Sequence, residues 1–216
     1  MQISLCSATD FEIEPLRNLL TTLQDAHQFQ YFLTGIGMLQ SGLAIQQHIT
    51  LNQPDLLIQV GIAGSFNPDL PLGTVLCIDR DYLGSCGVEQ NGKWQDFFDL
   101  GLADVNQVPF KQKALENPWV QDFTNRSQLK TGAAVTIDEI STDPARIQAL
   151  RDKYNPVLES MEGAALHLNG LLSNRPFLQI RGISNYIGER DKTKWDIKRA
   201  IETVCQSTFE LLQQLG

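Results

Sequence analysis

The amino-acid sequence predicts an α/β protein, a single domain over residues 1–216 with a mostly parallel central sheet flanked by helices. Two observations carry that expectation. Short apolar runs alternate from end to end with stretches of helical periodicity, the pattern of successive β–α–β units. No linker, internal repeat or low-complexity tract interrupts the alternation.

The elements follow in order. Residues 1–7 are an apolar run and predict a first strand. Residues 11–23 predict a helix, because Phe11, Leu16, Leu19, Leu20 and Leu23 fall at helical spacing. Residues 29–34 predict a second strand, after which Gly35-Ile36-Gly37 leads into a helix over about 39–50. Residues 56–60 predict a buried strand that ends at Gly61-Ile62-Ala63-Gly64, and residues 74–78 another. Residues 84–128 are rich in Gly, Asn, Asp and Pro, so loops and one short helix before Arg126 are expected.

A strand over 133–137 follows, then a helix to about Tyr154 with Asp143 as N-cap and Pro144 at the first helical position. Residues 157–160 are extended, and 162–172 predict a helix of small residues. Residues 176–183 form an apolar run that predicts a last buried strand, ending in Ser184-Asn185. The closing helix spans 192–215, with Ile197, Ile201, Val204, Phe209 and Leu212 on one apolar face.

Composition sets outer limits. Hydrophobic residues at 42% and charged residues at 19% are globular proportions, and 216 residues can bury a sizeable core. Lys and Arg number 17 against 25 Asp and Glu, a net charge of −8, which repels phosphate backbones and acidic lipids. Nucleic acid and membrane are therefore not expected as partners. The four cysteines lack C-x-x-C spacing and read as reduced thiols. No signal peptide is apparent, and cytoplasm is the expected location. His27, His48 and His167 are far apart and show no H-x-x-x-H spacing, so no metal site is expected.

The features that carry chemistry sit just after predicted strands, the edge where open α/β sheets bind ligands. Ala8-Thr9-Asp10-Phe11-Glu12 follows the first strand. Its acidic residues suit a helix dipole, and a carboxylate there also suits a general base. Gly35 and Gly37 lack the dinucleotide spacing. Gly61-Ile62-Ala63-Gly64 permits close backbone approach to a ligand, or serves as a tight turn. In Glu159-Ser160-Met161-Glu162-Gly163-Ala164-Ala165, a carboxylate beside small residues can accept two hydroxyls of a vicinal diol, or satisfy its own helix terminus. Trp94, Phe97 and Phe98 suit a hydrophobic lid or a subunit interface.

Taken in order, these pieces resemble the purine nucleoside phosphorylase and nucleosidase superfamily over essentially the full chain. Within it, the run Ile183-Ser184-Asn185-Tyr186-Ile187-Gly188-Glu189-Arg190-Asp191, followed by Trp195 and a closing helix, resembles the futalosine hydrolase branch of menaquinone biosynthesis. The resemblance implies a three-layer nucleoside phosphorylase-like fold that cleaves the N-ribosidic bond of a purine nucleoside without a cofactor. It implies a homodimer or higher homo-oligomer in which a partner chain completes the pocket.

The resemblance also assigns roles. Glu12 activates water, Met161 packs against the ribose and Glu162 holds its hydroxyls. Arg181 and Ser184 flank the base-reading position. Ala63, Gly64 and Ile140 complete the substrate-binding set. Asn185 falls where adenosine-type nucleosidases carry an aspartate that protonates N7. An amide cannot supply that proton, but it can donate to O6 of hypoxanthine while accepting from a protonated N7. The N7 proton is then left to solvent or to Asp191, which also suits a helix cap. The rivals are a phosphorylase on the same fold, with Arg17 as the one candidate phosphate ligand, a methylthioadenosine/S-adenosylhomocysteine-type nucleosidase, and a nucleoside-binding protein without catalysis.

Overall fold

The computed structural model describes residues 1–23, 27–125, 127 and 129–215. The chain runs β1 (Gln2–Ser7), α1 (Asp10–Leu20), β2 (Gln28–Leu33), α2 (Met38–Asn52), β3 (Leu56–Ser65), β4 (Val75–Leu83), β5 (Gly87–Gln90) and β6 (Lys93–Asp96). It continues β7 (Leu115–Glu116), α3 (Val120–Thr124), β8 (Lys130–Thr136), α4 (Pro144–Tyr154), β9 (Leu158–Ser160), α5 (Gly163–Leu172), β10 (Phe177–Tyr186) and α6 (Ile197–Gln213). The predicted short helix is α3, which ends before Arg126, itself outside the described residues.

The α/β class holds, but the sheet is mixed rather than mostly parallel. β3 pairs parallel with β10, β10 antiparallel with β4, β4 parallel with β8, β8 parallel with β9, and β9 antiparallel with β3. Those five strands close a barrel-like ring, and β1 and β2 extend from β3 as a parallel arm. The reversal has a simple cause. Only residues 66–74 separate β3 from β4, too few for the helical crossover that a parallel return needs.

Helices cover both faces. Ile13, Leu16 and Leu20 of α1 and Val204, Leu211 and Leu212 of α6 bury against Ile3, Leu5 and Ile58. On the other side, Ile45 and Ile49 of α2 and Leu166 of α5 meet Leu57 and Phe177. Neighbouring residues Leu57 and Ile58 thus serve opposite layers, as strand alternation requires. The local signals acted as expected at α4, where the Asp143 carboxylate accepts from the Arg146 N–H at 2.9 Å. α6 starts later than its periodicity suggested. Asp191 first caps a 3-10 turn, and Asp196 then caps the helix.

Residues 84–128 hold more order than expected. β5 and β6 form a hairpin. Asp96, wholly buried at its end, accepts from Lys113 and from the Tyr154 hydroxyl, tying the segment to α4. The Arg146 guanidinium lies over the Trp94 ring, 3.6 Å from its centroid, and Phe97 and Phe98 pack at a tilt against each other and edge to face against Phe110.

α6 seats on β10 at Gly182, where an added Cβ would stand 2.4 Å from the Ala200 carbonyl oxygen. Gly182→Ala is therefore expected to destabilise the fold by about 1–3 kcal/mol. Urea denaturation checks this, and an unchanged midpoint would mean the two backbones are not held this close.

Candidate active site

The site arises where β3 changes neighbours. One edge of β3 pairs with β1 as far as Gln59 and with β9 from Gly64 onward. Residues 60–63 between them pair through β10 alone, so their outer edge is open to side chains. Glu12 uses that opening. It is the third residue of α1, capped by Thr9, and its Oε1 accepts from the Ile62 N–H at 3.2 Å. Its Oε2 accepts from the Thr9 N–H at 3.1 Å and the Thr9 hydroxyl at 2.7 Å. Three donors fix a buried carboxylate that still has lone pairs to offer.

Glu162 enters from the N-cap of α5. Its Oε1 accepts from the Gly37 N–H at 3.1 Å, and its Oε2 lies 3.8 Å from Arg181 Nη2. The Gly35–Gly37 turn thus tethers a carboxylate, with Gly37 at a φ of 88° as the N-cap of α2. Burial raises the Glu162 pKa, Arg181 and the Gly37 N–H oppose that rise, and nearby Glu12 adds to it.

Arg181 was expected beside the base. It lies instead beneath the site, 1% exposed and off the cavity wall. Its Nη2 donates to Gln59 Oε1 at 2.7 Å. Gly61 makes room for it, since a Cβ there would stand 2.2 Å from Arg181 Nη1 and 3.1 Å from Glu12 Oε1. The Gly61–Gly64 segment is therefore inside β3 rather than a turn after it, and its first glycine admits a guanidinium rather than a ligand. Gly163 plays a similar part, with Gln179 Nε2 and Asp81 Oδ2 filling the space a Cβ would take.

A cavity of about 280 Å³ opens above this layer. Glu12, Met161, Glu162, Ser184, Asn185, Ala63, Gly64 and Ile140 all line it. Ser184 and Asn185 belong to β10 itself, at a bulge in its pairing with β3. The Ser184 hydroxyl donates to Asn185 Oδ1 at 2.8 Å, and Asn185 Nδ2 donates to the Tyr186 carbonyl at 3.2 Å. One amide hydrogen and one lone pair of Asn185 remain for a ligand.

For other groups the structure separates alternatives that the sequence left open. Asp191 is off the wall, and its carboxylate accepts from the Thr193 N–H and hydroxyl. Glu189 does line the cavity, but Lys194 at 2.6 Å holds its carboxyl below the usual range. Arg17 pairs with Asp10 at 2.8 Å on the surface, and Arg190 is the one basic side chain on the wall among the described residues. Trp94, Phe97 and Phe98 do not line this cavity, whereas Trp195 does. Phe11, the first of the residues at helical spacing, is half exposed and faces the cavity. Glu159, Ser160, Ile36 and Ile187 are lining residues that carried no individual sequence signal, because only strand register reveals where they point.

A model of the Phosphorylase superfamily matches residues 11–215, and the chain belongs to that family. Among curated relatives, the futalosine hydrolase of Thermus thermophilus is 26% identical over 87% of this chain and 83% of its own length. The 5'-methylthioadenosine/S-adenosylhomocysteine nucleosidase of Maridesulfovibrio salexigens is 26% identical over 88% of this chain and 87% of its own length. Two solved structures share the fold. A methylthioadenosine/S-adenosylhomocysteine nucleosidase from Colwellia psychrerythraea, in complex with adenine, superposes with a TM-score of 0.80 at 21% identity, covering 100% of this chain and 96% of that one. A futalosine hydrolase mutant of Helicobacter pylori gives 0.80 at 17% identity over 99% of both chains.

Arg181 is the cation that offsets the carboxyls around it, and its removal tests this layer. Asp81, wholly buried, is pushed up to about 7 by burial, against the pull of Thr136 and Arg181. Asp81 and Glu162 thus hold their protons longer folded than unfolded. Their contribution is complete below the unfolded value, 3.8 for Asp81, and is lost as pH rises toward the folded value, about 7 for Asp81. Arg181→Met raises both folded values further. The variant is expected to lose about 3–5 kcal/mol of stability, and to lose more at pH 8 than at pH 5. Denaturant titration at the two pH values checks this, and an equal loss at both would contradict it.

Proposed function

We propose that the protein hydrolyses the N-ribosidic bond of a purine nucleoside and that its preferred base is a 6-oxopurine, with futalosine as the leading substrate. The observation that carries the reading is the pair of buried carboxylates on one cavity wall, Glu12 and Glu162, with an amide, Asn185, on the same cavity. The futalosine hydrolases and nucleosidases among the relatives support the reaction class.

Glu162 accepts from the ribose 2′- and 3′-hydroxyls, which fixes C1′. Glu12 takes a proton from water as the C1′–N9 bond lengthens and positive charge gathers on the ribose, as in glycoside hydrolysis. The leaving base gathers negative charge. Asn185 Nδ2 donates to O6 and Oδ1 accepts from the protonated N7, and both contacts strengthen as that charge develops. The N7 proton comes from water, since Asp191 caps its turn and Glu189 is paired with Lys194. Phosphorolysis is less well served, because a dianion calls for converging cations and, among the described residues, Arg190 alone stands on the wall. A bare binding site would have no use for a water-activating carboxylate held as Glu12 is.

The apolar mouth, with Phe11, Ile36, Ile187 and Trp195, suits an apolar 5′ substituent, and Arg190 offers a charge to an anionic group on it. We also infer a homodimer. Ile36, just before α2, and the α2 residues Leu39 and Leu43 are exposed apolar side chains, and a second copy would cover them. The four unpaired cysteines suit a cytoplasmic setting.

Base release from futalosine, aminodeoxyfutalosine, inosine and methylthioadenosine tests the substrate reading. Hypoxanthine release from futalosine is expected to be fastest, and faster adenine release from methylthioadenosine would refute the role of Asn185. Glu12→Gln is expected to lower kcat by about 10²–10⁴-fold while leaving nucleoside affinity within a few fold. Steady-state kinetics beside ligand titration separates the two, and a matching loss of affinity would remove Glu12 from the chemical step.

A further inference from the structure

Glu159 is a buried carboxylate in the cavity wall that the chemistry above does not use. Its Oε1 accepts from the Ser141 N–H at 3.2 Å, and its Oε2 is buried with no partner. Burial raises its pKa, while Ser141 and the Arg146 charge oppose the rise. A buried carboxylate oxygen without a donor is costly, and a ligand donor would relieve it.

Strand register shows where that donor would lie. Gly64 of β3 pairs with Glu159 of β9 on one edge and with Asn185 of β10 on the other. Adjacent strands lie about 4.8 Å apart, so the two backbones stand about 10 Å apart across a residue with no side chain. In-register partners project to the same face; where a Cβ on Gly64 would stand, Ile187 Cδ1 lies 2.5 Å away and Asn185 Nδ2 3.3 Å away. The gap suits a flat heterocycle resting on the Ile187 side chain that covers Gly64, with Asn185 at one edge and Glu159 at another.

On the reading of this cavity as a purine nucleoside site, Asn185 takes the N7 and O6 edge. The adjoining edge, next to O6, then presents N1. In a 6-oxopurine N1 carries a hydrogen, and in a 6-aminopurine it is a lone pair. We propose that Glu159 is a specificity-determining residue that accepts the N1–H of a 6-oxopurine through Oε2, while its Oε1 stays anchored on Ser141. A 6-aminopurine would set the N1 lone pair against the carboxylate and leave both acceptors unpaired.

The test compares kcat/KM for futalosine and for aminodeoxyfutalosine, which differ at the base, in the wild type and in Glu159→Gln. A glutamine amide can donate to N1 of adenine. The futalosine-to-aminodeoxyfutalosine ratio is expected to fall about 10- to 100-fold in the variant. A second arm uses the wild type alone: 1-methylhypoxanthine, which lacks the N1 hydrogen, should inhibit at least about 10-fold more weakly than hypoxanthine. If the wild type prefers futalosine but the variant ratio is unchanged, or the two bases inhibit equally, Glu159 is not the selector and the 6-oxopurine reading stands. If the wild type prefers aminodeoxyfutalosine, both fail.

Discussion

A guanidinium with almost no solvent holds the reactive layer in place. Arg181 is 1% exposed, and leaving water is costly for such a group unless its surroundings return the lost interactions. Gln59 supplies a short hydrogen bond, Glu162 an opposite charge, and Gly61 the empty volume the side chain fills. Two carboxylates face one cavity, and burial and mutual repulsion both push Glu162 toward its neutral form. Arg181 opposes both. Without it, Glu162 would move further toward its neutral form.

Topology supplies the rest. Because β1 leaves β3 at Gln59 and β9 joins at Gly64, the Ile62 N–H is free for Glu12. The starts of α1, α2 and α5 meet there through Glu12, Gly37 and Glu162. Helix N-termini carry partial positive charge, which favours carboxylates. The same strand exchange sets Gly64 between Glu159 and Asn185, so the anchor of Glu12 and the gap between those two side chains lie on one strand.

The sequence reveals this in part. Alternating elements, the Asp143 cap and the apolar face of α6 mark the α/β class and most helices. The direction of β4 is hidden, because it depends on the 66–74 connection being too short for a crossover rather than on any pattern within the strand. The placement of Arg181 is hidden for another reason. β10 is buried on both faces as far as Ser184, so polar–apolar alternation cannot tell which residues face the cavity. Glu12, Glu162 and Asn185 are legible by resemblance, and all three line one cavity. Glu159 is not, since a run of Glu-Ser-Met-Glu shows two carboxylates but not that one of them faces Gly64 across a strand.

We propose that Glu12 activates water and Glu162 holds the ribose in a cavity with little to hold phosphate. The most direct measurement follows cleavage of futalosine in phosphate-free and phosphate-containing buffer, with the sugar product identified by ¹H and ³¹P NMR. A free sugar in both buffers, formed at a rate independent of phosphate, is expected of a hydrolase. A sugar 1-phosphate, formed at a rate that rises with phosphate, would contradict that reading.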